Sequence, residues 1–151
     1  MGRLAVLLVL AVVAAGCMGG DAEGVSTDDY IAKADGVCGT YQVRLSRIPR
    51  PVTAEPAELG VFLERALPIA REQLGELQDL PKPSDQEDRE RIDSLLTLLE
   101  QELELNEAAQ EAAAAGDTGA VNTGLQQAAA ANAEAGRLSE ELGFVVCARR
   151  A

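Results

Sequence analysis

From Thr27 onward, hydrophobic residues recur every three or four positions in four separate stretches, each closed by proline or glycine. The first stretch runs from Thr27 to Ile48. Tyr30, Ala34, Val37, Tyr41, Leu45 and Ile48 share one face of it, and Cys38 lies beside that face. Ser26 or Thr27 can cap its start, Asp28 and Asp29 sit where the helix dipole favours anions, and Pro49 and Pro51 end it. The second stretch spans Ala54 to Leu80 and buries Leu59, Phe62, Leu63, Ala66, Ile69, Ala70, Leu74 and Leu77. Pro68 falls inside it, which predicts a kink or a break into two shorter helices, and Pro81 and Pro83 close it.

The third stretch opens with Ser84 and Glu87 at the spacing of a capping box. Ile92, Leu95, Leu96, Leu99 and Leu103 form its seam, Leu98 and Leu105 widen it, and it continues through Ala112–Ala115 to Gly116. Asp117 caps the fourth, from Thr118 to Leu142, where Val121, Leu125, Ala128, Ala135, Leu138 and Leu142 hold the period. Gly143 suits its C-cap, and its alanine-rich middle lets neighbouring helices come close. Alternation of the strand type is absent. Short links between long helices make antiparallel neighbours. The sequence therefore predicts an all-α fold, an up-down-up-down antiparallel four-helix bundle over residues 26–151. The apolar tail Phe144–Cys147 must pack against it, and in this topology it can turn back along the first helix toward Cys38.

Ahead of the bundle, Met1-Gly2-Arg3 is a short basic start, Leu4 to Val13 is unbroken apolar sequence, and Ala14, Ala15 and Gly16 are small. These are the three regions of a secretory signal, expected to occupy residues 1–16. The apolar run is too short to cross a hydrocarbon core of ~30 Å, and a buried N-terminal helix is the alternative. Ala14-Ala15-Gly16-Cys17 resembles the lipobox of bacterial lipoproteins. The resemblance implies cleavage between Gly16 and Cys17, lipid on the Cys17 sulfur, palmitate-type acylation of the new amino group, and a place on the outer face of the cell membrane. Two or more chains anchor stably, because each buried methylene contributes about 0.8 kcal/mol. Residues 17–25, rich in glycine and small polar side chains, then read as a flexible tether. With Cys17 lipidated, Cys38 and Cys147 remain, and an exported chain favours their pairing as a disulfide; two buried free thiols are the alternative. Gly36 and Gly39, on either side of Cys38, would let another backbone come close enough for that bond.

Composition removes many functions. The chain has no His, so the commonest general base and metal ligand is absent, and no metal site or cofactor is expected. The net charge of −12 argues against a nucleic-acid partner. Glu100, Glu102, Glu104 and Glu107 spread around the third helix and read as a solvated acidic face. No nucleophile elbow or phosphate loop is present, so catalysis is not expected. Arg44, Arg47 and Arg50 form a small basic group that could meet an anionic partner or complement the dipole of the first helix. Tyr30-Ile31-Ala32-Lys33-Ala34-Asp35 before Cys38, Leu67-Pro68-Ile69-Ala70 and the late Cys147 resemble small Ala-rich lipoproteins of high-GC Gram-positive bacteria, a likeness that implies no particular activity. The expected function is a non-catalytic envelope module that binds or scaffolds another envelope protein. The alternative is a binding protein for a small apolar or cationic ligand, in a pocket formed by Tyr30, Tyr41 and Pro68.

Overall fold

The structure is a computed structural model that describes residues 24–53 and 55–149. The signal segment, the Gly16–Cys17 cleavage point and tether residues 17–23 lie outside the described residues. Four helices make up the rest: α1 (Thr27–Leu45), α2 (Pro56–Gln78), α3 (Gln86–Ala114) and α4 (Thr118–Leu142). They pack as the expected antiparallel bundle, with α3 against both α2 and α4, and α1 against α2.

The core follows the periodic faces. Tyr30, Ala34 and Cys38 of α1 meet Leu74 and Leu77 of α2, Ile92 to Leu99 of α3, and Ala135 and Leu142 of α4. A smaller cluster of Leu63, Leu67 and Ala109 lies further along the bundle. Between α3 and α4 the contact is through small residues. A Cβ on Gly124 would sit 3.2 Å from the Ala109 Cβ and 3.3 Å from the Leu105 carbonyl oxygen. Glycine is thus the residue that lets the alanine-rich α4 lie against the α3 backbone.

Several boundaries differ from expectation, each for a local reason. α1 ends at Leu45 rather than Ile48, and its last turn tightens through Arg47 N–H to Arg44 O and Ile48 N–H to Leu45 O. Pro49 disfavours helical backbone at Ile48, so the helix closes early. α2 starts at Pro56, which takes the first helical position where no N–H is needed; the expected start, Ala54, lies outside the described residues. No break occurs at Pro68, and α2 is one helix. Pro68 is exposed, so water can reach the carbonyl that its missing N–H leaves unpaired. The Ser84–Glu87 capping box does not form. Asp85 caps α3 instead, accepting the Asp88 N–H at 2.9 Å.

Ser84 is engaged elsewhere. Its N–H donates to the Val25 carbonyl, and the Val25 N–H donates to Lys82 O, so the chain before α1 pairs with the α2–α3 turn. A Cβ on Gly24 would lie 2.7 Å from the Ser84 nitrogen, which requires glycine there. Gly24 and Val25, expected in the tether, therefore belong to the folded domain. At the other terminus, Asp35 accepts the N–H groups of Val145, Val146 and Cys147. Gln42 donates to the carbonyls of Val146 and Arg149, and Phe144 packs edge-on to Tyr30. Cys38 and Cys147 form the disulfide that closes this tail onto α1. Of the two neighbouring glycines, Gly39 faces the Val146 side chain, whereas Gly36 faces open space and has no part in the approach.

Candidate functional site

The helices are unequal in length. α1 has 19 residues and α3 has 29, or about 28 Å against about 43 Å at 1.5 Å per residue. α1 lies along the C-terminal half of α2, where the Tyr30 hydroxyl donates to Leu77 O and Arg44 pairs with Glu72 at 2.7 Å. After Leu45 the chain returns to Pro56 without helix. The first half of α2 therefore has no helical partner on that side, and a cavity of about 780 Å³ remains. That volume falls in the range of small-molecule sites.

Phe62, Leu63, Ala66, Leu67, Ala70, Leu74 and Leu77 of α2, with Leu99 and Leu103 of α3, give the cavity its apolar wall. Leu45, Ser46, Arg50 and Pro51 border it where α1 gives way to the loop. The Cys38–Cys147 disulfide lines it too, with the Gln73 amide 3.4 Å from the Cys38 sulfur. On the α3–α4 side stand Glu102, Asn106 and Asn132. Asn132 donates to the Glu102 carboxylate at 2.9 Å, and Asn106 donates to the Glu102 backbone carbonyl at 2.9 Å.

The loop over the cavity is tied down by a carboxylate. Glu58 accepts the N–H groups of Val52 and Thr53 at 3.1 and 2.9 Å. The Thr53 N–H, with its hydroxyl and the Val52 N–H, holds the Glu58 carboxyl below its ordinary value of 4.5. Among the described residues no group of His, Cys, Asp and Glu side chains could hold a metal ion, and no buried side-chain polar atom lacks a hydrogen-bond partner. No described helix is long and apolar enough to cross a membrane. The arrangement offers shape, apolar surface and a few polar anchors to a ligand.

No protein-family model, curated protein or solved structure matches this chain.

Neither Tyr30, Tyr41 nor Pro68 lines the cavity. The two tyrosines are core residues, 2% and 1% exposed, and Pro68 faces outward on α2. Tyr41 donates to Glu76 at 2.8 Å under the Arg44 guanidinium, 4.7 Å from its ring centre. Burial, with the Asp93 charge, pushes the Tyr30 phenol up to about 12. Burial and hydrogen bonds to Glu76 and Glu72 push Tyr41 up to about 12. A raised folded-state pKa means that stability is complete below pH 10 and declines as pH rises from there toward 12. Tyrosinate absorbance should accordingly appear near pH 12, or together with loss of helix, and not near pH 10. Free titration of either tyrosine at pH 10 in the helical protein would show its hydroxyl to be unprotected.

Glu102, Asn106 and Asn132 were not singled out as a site by the sequence. Glu102 is half-buried rather than part of a fully solvated face. A signal for them exists: Glu102 and Asn106 are four apart on one face of α3, and Asn132 interrupts the alanines of α4.

Proposed function

We propose that this chain is a lipid-anchored, extracytoplasmic, non-catalytic binding module that holds a small, largely apolar ligand between its helices. The cavity beneath the α1–α2 loop carries this reading. Its walls are aliphatic over most of their length, with amide and carboxylate groups confined to a few positions, the composition usual in a small-molecule site. The lipobox-like leader supplies the anchor, and the chain contains no histidine to support acid–base chemistry.

Photolabelling of the full chain in its native membrane tests the ligand. A diazirine derivative of dodecanol should label peptides that contain Phe62–Leu67 and Leu99–Leu103. Ala66→Trp, which places an indole ring in the cavity, should reduce that labelling at least tenfold while the helical content holds. Labelling confined to exposed Val52 or Val145, or unchanged in that variant, would refute the ligand cavity. The anchor has its own test. Cys17→Ser should abolish incorporation of labelled palmitate and leave residues 1–16 uncleaved; normal cleavage and membrane retention would refute it.

A further inference from the structure

We infer that the cavity takes a single-chain amphiphile with an anionic head, its alkyl chain along α2 and α3 and its head beside Arg50. This rests on the ligand-cavity reading above and adds the chemistry of the ligand. The apolar wall on α2 extends from Phe62 to Leu77, about 22 Å of helix. One acyl chain of a membrane lipid spans about 15 Å, half of the ~30 Å hydrocarbon core, and fits within that length.

The head is selected by charge at the loop border. Acidic residues number 25 against 13 basic ones, and Arg44, Arg71, Lys82, Arg91 and Arg137 all pair with carboxylates. Arg47 and Arg50, like Lys33, Arg65, Arg89 and Arg149, have no ion-pair partner among the described residues, and of these six Arg50 alone lines the cavity. Arg50 borders the cavity and lies between Pro49 and Pro51. Those prolines restrict its backbone, so little backbone freedom is lost when its planar guanidinium meets an anion. Arg47 is three residues earlier in the same connection. Glu102, the acidic lining group, stands on α3 and accepts from Asn132 of α4, whereas Arg50 stands in the α1–α2 loop. A carboxylate or phosphate head beside Arg50 meets its guanidinium, the Glu58 carboxylate of the same loop being engaged by the Val52 and Thr53 N–H groups, while an ammonium head beside Arg50 meets like charge.

The test compares diazirine-bearing dodecanoate, dodecyl phosphate, dodecylamine and dodecanol on the full chain in its native membrane. Each probe is scored as the ratio of cavity labelling in the wild type to that in Arg47→Gln/Arg50→Gln, which cancels partitioning into lipid. The anionic probes should give a ratio of about ten and dodecanol a ratio near one. The larger of the two anionic ratios identifies the head as carboxylate or phosphate. Arg50→Glu should reverse the order of dodecanoate and dodecylamine. Ratios near one for both anions, with dodecanol still labelling the cavity, would overturn this inference and leave the cavity reading standing. Preferential labelling by dodecylamine in the wild type would also overturn it. Absence of cavity labelling by every probe would overturn both.

Discussion

Exchange of both Cys38 and Cys147 for alanine is expected to lower the midpoint of thermal unfolding by about 15 °C. The two residues are 109 apart in sequence. In the chain-entropy account, closing a loop of that length removes about 4–5 kcal/mol of freedom from the unfolded state. A domain of this size has about 5–15 kcal/mol of stability in all, so about a quarter or more of it depends on one covalent bond. For a chain between the small and medium classes, each kcal/mol displaces the midpoint by roughly 3–4 °C. The bond also acts on the folded side, because it fixes the tail to α1 while both sulfurs sit in the core. Circular dichroism of the oxidised protein, the protein with reductant and the double variant provides the check. Reduced wild type and variant should melt together, well below the oxidised protein. A difference under 5 °C would show that the tail and the unfolded chain are already ordered without the bond.

Periodicity located the helices because burial is the term it reports. Ile92, Leu95, Leu96 and Leu99 were expected in the seam and are buried, as are Ala128, Ala135 and Leu142 on α4. What periodicity does not report is where two elements compete for the same residue. Ser84 has the right spacing to Glu87 for a capping box, yet its backbone pairs with Val25, and Asp85 becomes the cap. The competitor is distant in sequence, and no local pattern contains it. The cavity was missed for a related reason. The chain after Leu45 runs to Pro56 without helix, so α1 does not extend over the first half of α2. Phe62, Ala66 and Ala70 face inward as their period predicts, but inward at that level is an open space. Pro68 drew attention as the irregularity within the helix, although an exposed proline disturbs little beyond its own turn. The disulfide was legible because topology and cysteine count converge on the same pair.

Asp35→Ala should cost about 2–4 kcal/mol of stability. The Asp35 carboxylate accepts three successive backbone N–H groups, from Val145 and Val146 at 2.9 Å and from Cys147 at 2.8 Å. Bonds to a charged acceptor contribute more than neutral ones, and a donor left buried and unpaired carries a desolvation penalty of about 1–3 kcal/mol. The Val145 amide is on the exposed side and can turn to water, whereas those of Val146 and Cys147 are part-buried, so the loss falls mainly on those two. Both donate to the same oxygen, Oδ1. Asparagine retains one carbonyl oxygen with two lone pairs, and Asp35→Asn should therefore cost only about 1 kcal/mol. Asp35 and Cys38 are three apart on α1, and the salt-free clamp and the covalent one thus hold the same segment from adjacent turns. With the disulfide intact, Asp35→Ala should leave the tail tethered but speed hydrogen exchange at the Val146 and Cys147 amides. With the disulfide reduced, the tail loses both restraints, and the Phe144 contact with Tyr30 should go with it. Urea unfolding of the two variants, with and without reductant, measures the coupling between the clamps. Equal costs for Asp35→Ala and Asp35→Asn, or a loss below 0.5 kcal/mol for the alanine variant, would show that water serves these amides as well as the carboxylate does.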